Sequence, residues 1–378
     1  MPVYLDCNAT TPLEPKVADE LHRFTVEEFG NSGSRTHGFG VRAKQRVNEA
    51  RRQVAAVADV PPADLVFTSG ATESNNLAIL GLAAYGESEG RRHIISTQIE
   101  HKAVIEPLEH LESQGFEIDF VAPPESGRVE TEAILEVLRP DTLLVSVMQV
   151  NNETGVIQPI VEIAEALQDH PAYFHVDAAQ GFGKELGPLR EERVDLISVS
   201  GHKVYAPKGI GALLMRRRGT VKPPLQPLMF GGGQEKGLRP GTLPVGLIAA
   251  LGTASEMALS DHASRQARLE QLHEEALSNF SEINAAVNGD PDKTLPTTVN
   301  FSVPGLDSEA AIVALKSMVA ISNGSACTSQ SYEPSHVLTA MGLTDERIAG
   351  AIRLSWSHLT PDVPWGDVIA SMTSLVQT

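Results

Sequence analysis

Cysteine is scarce in this chain of 378 residues, which contains only Cys7 and Cys327. Two cysteines cannot build a disulfide framework or a cysteine-rich zinc site, and the histidines lack the spacing of known metal motifs, so no metal is expected. Basic residues are also in the minority, with 30 against 48 acidic ones and a formal net charge of −18. Because such an acidic chain is a poor partner for a phosphate backbone, direct nucleic-acid binding is not expected.

Long apolar runs are missing as well. No stretch approaches the roughly 20 apolar residues that are needed to cross a bilayer. The first residues, Met-Pro-Val-Tyr-Leu-Asp, have neither the basic flank nor the apolar core of a signal peptide. We therefore expect a cytoplasmic protein without a membrane segment. Hydrophobic residues make up 42% of the chain, which is ample for a large core, and the length favours two or more domains.

Short apolar runs alternate with amphipathic stretches over much of the chain. The runs that predict strands are 65–68, 93–96, 116–121, 142–148, 173–176, 195–200 and 210–215. Helices are predicted between them, among them one over 75–85. This alternation predicts an α/β fold with a mostly parallel central sheet flanked by helices. The composition then changes, so we predict a large domain over 13–255 and a smaller α+β domain built from 1–12 and 256–378.

Polar clusters follow five of the predicted strands. They are Gly70-Ala71-Thr72, Glu100-His101-Lys102, Asn151-Asn152, Asp177-Ala-Ala-Gln180 and Ser200-Gly-His-Lys203. Ligands of open α/β sheets bind outside the carboxyl ends of the strands, so the repeated pattern predicts a ligand site there. Lys203 alone is equally compatible with an ordinary solvated lysine and with a desolvated nucleophile that attacks carbonyl groups.

Pyridoxal phosphate (PLP) would account for the whole set of clusters. Lys203 can hold this cofactor as a Schiff base, Asp177 can keep its ring nitrogen protonated, and His101 can lie over its ring. The helix start at Ala71-Thr72 offers backbone N–H groups and a hydroxyl to the phosphate, to which Ser200 and His202 can add. Each residue alone has a structural explanation, such as a helix cap or a turn. Their coincidence at one sheet edge is what favours the cofactor.

Six ordered motifs resemble the cysteine desulfurases, the NifS/IscS-like group in the class V aminotransferase-like branch of fold type I PLP enzymes. The motifs are 68–77, 100–103, 150–155, 175–180, 200–203 and 324–329. The resemblance extends from Tyr4 to about Ser357, which is nearly the whole chain. It implies a homodimer with the active site near the subunit interface.

The resemblance also implies roles for single residues. Lys203 carries PLP, Asp177 pairs with the ring nitrogen, and His101 stacks on the ring. The other implied cofactor contacts are Gln180 and Asn152 on the ring-oxygen side, Ala71, Thr72, Ser200 and His202 at the phosphate, and Thr242 reaching the phosphate from the other subunit. The residues implied for the substrate carboxylate are Arg353, Asn31 and Asn152.

Cys327 matches the nucleophile of this family. A sulfur carrier must be a thiolate and must move between the cofactor and an acceptor. The glycine and serine residues around Cys327, over 324–331, leave its loop without bulky apolar anchors. Cys7 has no matching role in the family, and we expect it to be structural.

The predicted reaction converts L-cysteine to L-alanine and leaves the sulfur as a persulfide on Cys327. A protein acceptor then takes the sulfur for iron–sulfur assembly, tRNA thiolation or DNA phosphorothioation. The chain has no long tail after its last helix, which weakens the expectation of cluster assembly. Two alternatives stay open: a selenocysteine lyase or other class V aminotransferase, and a non-catalytic sulfur-relay scaffold.

Overall fold

The computed structural model describes residues 1–324 and 334–376. The strands are β1 (Val3–Tyr4), β2 (Leu65–Thr68), β3 (His93–Thr97), β4 (Glu117–Val121), β5 (Thr142–Met148), β6 (Tyr173–Asp177), β7 (Leu196–Ser200), β8 (Gly211–Met215), β9 (Ala286–Val287), β10 (Thr298–Ser302), β11 (Val319–Ala320) and β12 (Ala351–Ser355). The α-helices are α1 (Pro15–His22), α2 (Gly38–Val57), α3 (Ala71–Leu80), α4 (Ala83–Glu89), α5 (Lys102–Ser113), α6 (Thr131–Glu136), α7 (Ile160–Ala166), α8 (Val245–Ser260), α9 (His262–Ser281), α10 (Ser308–Leu315), α11 (His336–Ala340), α12 (Asp345–Ala349) and α13 (Trp365–Val376).

A central sheet has the strand order β2-β8-β7-β6-β5-β3-β4 in the described part of the chain. Strands β3 to β7 pair in parallel, and β8 runs antiparallel to both of its neighbours. Every residue of β5, β6 and β7 is buried, because helices cover both faces of the sheet. The predicted α/β fold with a mostly parallel sheet is confirmed.

The predicted helix over 75–85 is wrong in its bounds, because the chain forms two helices there. Helix α3 already begins at Ala71, directly after the turn that ends β2, and Gly81 separates it from α4. The carbonyl of Gly81 accepts a hydrogen bond from the backbone N–H of Gln226 at 2.9 Å. A methyl group at Gly81 would lie 3.1 Å from the carbonyl oxygen of Gln226, so the segment around 226 packs directly on this break. The earlier start places the N-terminus of α3 at the sheet edge.

Helix α9 packs on a second, antiparallel sheet of order β12-β10-β9, and α13 packs on α9 and α10. Its core is aromatic, with Phe280 stacked on Phe301 at 4.2 Å between ring centroids and Trp365 against Phe280. Strand β1 pairs in parallel with β11, and Leu5 is buried in the same core. The first and last parts of the chain therefore share one hydrophobic core.

We propose a two-domain division with its boundary at Asp261 instead of 255. Residue 255 lies inside helix α8, and Met257 and Ala258 of that helix still belong to the core of the central sheet. Helix α9, which starts directly after Asp261, contributes to the aromatic core. Within 1–324 and 334–376, no helix is long and apolar enough to cross a membrane.

Candidate active site

A cavity of about 930 Å³ opens at the carboxyl ends of the central strands. The predicted site residues that line it are Ala71, Thr72, His101, Asn152, Asp177, Gln180, Ser200, His202, Lys203 and Arg353. Asn31 and Thr242 do not line it in the single chain. Cys327 lies outside the described residues, but Gly324 and Pro334, on either side of the undescribed segment, line the cavity.

Lys203 lies on a short turn that follows β7. Its ammonium group donates hydrogen bonds to the carbonyl oxygen of Asn8 and, at 2.9 Å, to that of Ala9. These carbonyls solvate the ammonium, which a purely apolar wall could not do. The first residues of the chain therefore form one wall of the site.

The backbone after Lys203 is held in an uncommon conformation. Tyr205 is buried and has φ +65, a left-handed value that costs energy for a bulky residue. Its N–H donates to Oγ1 of Thr11 at 3.0 Å, and the N–H of Thr11 donates to the carbonyl of His202 at 2.9 Å. The N-terminal segment thus clamps the lysine turn from both sides.

Asp177 ends β6, and each of its carboxylate oxygens accepts a hydrogen bond. Nδ2 of Asn75 donates to Oδ2 at 2.7 Å, and the backbone N–H of Ala179 donates to Oδ1 at 2.9 Å. A carboxylate oxygen has more than one lone pair, so the group can still accept a ring N–H. Sequence reasoning missed Asn75, although it lies one turn after Thr72 on α3.

The predicted phosphate subsite is the N-terminus of α3. Gly70 precedes this helix and gives no side-chain cap, so the first-turn N–H groups point at the cavity edge. Burial lowers the pKa of His202 to about 4, with the charge of Lys203 as a further cause, so this ring is neutral near pH 7. A Cβ at Gly211 would lie 2.6 Å from the Cα of Gly70, so β8 packs directly beneath the turn.

Gln180 and Asn75 each keep one amide oxygen buried with no hydrogen-bond partner among the described residues. The amide nitrogen of Gln180 donates to the carbonyl of Asn8 at 3.0 Å. A buried polar atom without a partner costs about 1–3 kcal/mol. The two unpaired amide oxygens and the uncapped N-terminus of α3 indicate that a polar group binds in this cavity. The lysine, the carboxylate and the backbone N–H groups that surround it fit PLP.

Arg353 crosses from β12 to the cavity and is 1% exposed. Its guanidinium donates to Oδ1 of Asp6 at 2.7 Å and to the carbonyl of Asn152 at 3.0 Å. Its Nε has no partner among the described residues. The guanidinium is therefore fixed in place by both domains, as the binding of a substrate carboxylate requires.

Glu100 and His336 are further polar residues that sequence reasoning did not assign to the site. Glu100 is fully buried, and burial raises the pKa of its carboxyl to about 8. His336 lines the cavity and is within 3.0 Å, through Nε2, of the carbonyl oxygen of Glu100. His336 could have been found from its position in the sequence, because it follows shortly after Cys327.

Comparisons with known proteins agree with this geometry. Residues 3–361 match the family described as Aminotransferase class-V. The cysteine desulfurase IscS of Methylococcus capsulatus is 44% identical over 361 residues, which is 95% of this chain and 89% of that protein. The structure of DndA from Streptomyces lividans is 51% identical with a TM-score of 0.83, covering 92% of this chain and 98% of that one. The structure of SspA in complex with cysteine is 37% identical with a TM-score of 0.83, covering 95% and 100%.

The chain belongs to the aminotransferase class-V family. Its predicted place in that family, among the PLP-dependent cysteine desulfurases, is confirmed. The roles of the single site residues remain predictions that the geometry supports.

Proposed function

We propose that this cavity removes sulfur from L-cysteine and delivers it as a persulfide to Cys327. One observation carries the proposal: Lys203, Asp177 and Arg353 share a cavity whose wall includes Gly324 and Pro334. The described residues on either side of Cys327 therefore line the cavity in which we propose that the substrate binds. The cysteine in the SspA complex supports L-cysteine as the substrate.

In the proposed complex, the charge of each side chain decides which group of the substrate or the cofactor it binds. Arg353 binds the substrate carboxylate through its guanidinium, which Asp6 and Asn152 already orient. Asp177, which Asn75 holds in place, would accept the ring N–H of PLP. The phosphate of PLP would be held by Ala71, Thr72, Ser200 and His202.

Bound at Lys203, PLP would supply an electron sink that weakens the Cβ–S bond of the substrate. The amine of Lys203 would take the α-proton of the substrate as general base. The carbonyls of Asn8 and Ala9 keep the lysine amine near this position. The thiolate of Cys327 attacks the substrate sulfur, so an S–S bond forms and the Cβ–S bond breaks. The electron pair of the broken bond stays on Cβ, which takes up a proton and becomes the methyl group of alanine, while the substrate thiol proton remains on the persulfide.

Replacing Cys327 with Ser tests the proposal. The variant is expected to keep its yellow cofactor colour and to lose alanine production from L-cysteine. Cys7→Ser is the matched control, because Cys7 is buried away from the cavity lining and burial raises the pKa of its thiol to about 11. Full alanine production by Cys327→Ser would exclude the persulfide route. Alanine release from selenocysteine alone would favour the lyase, and a colourless wild type would favour the scaffold.

We propose DNA phosphorothioation as the pathway that takes the sulfur. The chain is 51% identical to DndA over 92% of its length and 44% identical to the IscS protein of Methylococcus capsulatus over 95% of its length. The acceptor is a protein, since a net charge of −18 disfavours direct contact with DNA. Deleting the gene is expected to remove phosphorothioate from the host DNA, measured by mass spectrometry of its nucleosides. Loss of iron–sulfur enzyme activities with intact phosphorothioate would contradict this pathway.

We propose that the protein is a homodimer, with Thr242 and Asn31 serving the site of the partner. Neither residue lines the cavity of its own chain. Both lie near exposed aromatic side chains: Phe29 and Phe39 near Asn31, and Phe230 in the loop before Thr242. Exposed apolar patches of this kind mark association surfaces.

The expected location is the cytoplasm.

A further inference from the structure

The loop over 234–241, which we call the anchor loop, leads directly to Thr242. Thr242 is exposed on its own chain, and we have proposed that it serves the site of the partner subunit. The two ends of the loop are joined, because Oε1 of Gln234 accepts a hydrogen bond from the N–H of Gly241 at 3.0 Å. Gly241 has φ +117, a value that favours glycine. Contacts that fix the anchor loop therefore also fix the position of Thr242.

A buried carboxylate ties the first part of the anchor loop to strand β2. Oε2 of Glu235 accepts hydrogen bonds from the backbone N–H of Phe67 at 2.9 Å and from Nη1 of Arg51 at 2.9 Å. Phe67 lies on an edge strand of the central sheet in the described part of the chain, and its N–H is on the open side of that strand. Charge-assisted hydrogen bonds of this kind are stronger than neutral ones. Glu235 therefore fastens the loop to the sheet.

The backbone of the anchor loop is bent to make these contacts. Glu235 has φ +48 and Lys236 has φ +59, so two successive residues with side chains adopt left-handed angles. Such angles cost energy and persist only where the surrounding contacts impose them. Nζ of Lys236 donates to the carbonyl oxygen of Ala63 at 2.5 Å, which adds a further contact. Tertiary contacts thus determine the path of the loop toward Thr242.

An ion pair joins the last part of the anchor loop to the phosphate subsite of its own chain. Nε of Arg239 donates to Oε1 of Glu73 at 2.9 Å, and Nη2 donates to Oε2 at 3.4 Å. Glu73 lies in the first turn of α3, and its Oε2 also accepts from the N–H of Ser69 at 2.7 Å. Two parallel contacts between a guanidinium and a carboxylate fix direction as well as distance. Arg239 is therefore held firmly, three residues before Thr242.

We propose that Glu235 and Arg239 are positioning residues that hold Thr242 ready for the phosphate subsite of the partner subunit, an inference that rests on the proposed homodimer. Neither side chain is among the described residues that line the cavity, so both act through the loop. Only Pro240 and Gly241 separate Arg239 from Thr242, and the ring of Pro240 fixes its φ. A hydroxyl that reaches across an interface binds better when its own chain already holds it in place, because ordering a free loop offsets the gain from the contact.

Mixed dimers test the proposal, because they separate an effect on the same chain from an effect on the partner. One subunit carries Lys203→Ala and cannot bind PLP covalently, so the absorbance of lysine-bound PLP reports only the intact site of the other subunit. Arg239→Gln is placed either in the Lys203→Ala subunit or in the subunit with the intact lysine. Excess phosphatase destroys PLP that leaves the holoenzyme, so the decay of the absorbance gives the rate of release.

Release is expected to be about 10-fold faster when Arg239→Gln lies in the Lys203→Ala subunit, because that subunit supplies Thr242 to the intact site and a hydrogen bond to a charged group is weakened. With Arg239→Gln beside the intact lysine, release is expected to stay close to that of the parent mixed dimer, since the N–H of Ser69 still holds Glu73. Glu235→Gln is expected to follow the same pattern. Arg239→Lys, which keeps the charge, is expected to recover part of the slow release and serves where the Gln variant does not assemble.

Arg92→Gln is the matched control, because it breaks an exposed ion pair with Glu87 outside the described cavity lining. It is expected to leave release unchanged in both placements, and sedimentation checks that every mixed dimer stays assembled.

Faster release only when Arg239→Gln lies beside the intact lysine, or to the same extent in both placements, would overturn the proposal in favour of a role within one chain. Unchanged release in both placements would also overturn it, provided that Thr242→Ala in the Lys203→Ala subunit does speed release. Should Thr242→Ala have no effect in either placement, the underlying proposal that Thr242 serves the partner is wrong, and this inference with it.

Discussion

The carboxyl group of Glu100 forms no ion pair with any residue of 1–324 and 334–376. Oε1 accepts hydrogen bonds from Oγ1 of Thr97 at 2.8 Å and from the N–H of Met148 at 2.9 Å, while Oε2 is buried without a partner among the described residues. Burial raises the pKa of this group from 4.5 to about 8, and the nearby charge of Asp177 adds to the effect. The native state therefore favours the protonated acid near neutral pH.

Glu100 is expected to make the protein less stable as the pH rises. The native state binds the proton up to about pH 8 and the unfolded state only up to about 4.5, so the native state loses its advantage between these values. Glu100→Gln, which can accept the same two hydrogen bonds, is expected to gain stability over the wild type by up to about 4 kcal/mol between about pH 5 and pH 8. Urea unfolding at the two pH values measures this difference. A constant difference between the two proteins would contradict the raised pKa.

At the scale of single residues, the sequence predicted which side chains lie at the ends of the central strands. Lys203, Asp177 and His101 line one cavity, as expected from the parallel order of the strands. Asn8 and Asn75 could not be predicted in the same way, because their roles depend on contacts far apart in the chain. Nδ1 of His101 accepts a hydrogen bond from the backbone N–H of Ala103 at 3.0 Å, a contact that composition and spacing do not reveal.

At the scale of elements, the close approach of β8 to the Gly70 turn supports the phosphate subsite. The position at 211 has no room for a side chain, because a Cβ there would lie 2.3 Å from the carbonyl oxygen of Val199 and 2.6 Å from the Cα of Gly70. The apolar runs predicted the central strands. They did not predict the break between α3 and α4, because the contact of Gly81 with Gln226 is tertiary.

Gly211→Ala is expected to destabilise the fold by roughly 1–3 kcal/mol through overpacking and to weaken PLP binding, since β8 must move away from the turn. Gly233→Ala is the control, because its backbone φ of −108 suits alanine and no atom lies within 4 Å of the added carbon. Thermal unfolding and cofactor titration measure the two effects. An unchanged affinity of Gly211→Ala for PLP would contradict the prediction that β8 supports the phosphate subsite.

At the scale of the whole molecule, the exposed aromatic side chains lead us to expect a dimer. Phe29 is 67% exposed and stacks on Phe39 at 5.4 Å, and Phe230 is 87% exposed. A monomer that leaves such rings in water loses the free energy that their burial provides. The two patches flank Asn31 and Thr242, the residues that the single chain does not bring into the cavity.

Replacing both Phe29 and Phe39 with Glu is expected to convert the dimer to a monomer and to weaken PLP binding, because the contact of Thr242 is then lost. Val313→Glu, at an exposed position of α10, is expected to leave both properties unchanged. Analytical ultracentrifugation and cofactor titration measure the outcomes. A wild type that sediments as a monomer with full cofactor affinity would contradict the shared site.

The pairing of β1 with β11 has a consequence for how the enzyme is made. The carbonyls that hold the amine of Lys203 follow shortly after β1, whose partner strand β11 is synthesised long after the lysine itself. A nascent chain therefore carries the lysine long before its N-terminal wall is anchored. We expect cofactor capture to be a late, post-translational event, and an N-terminal extension to slow it more than a C-terminal one.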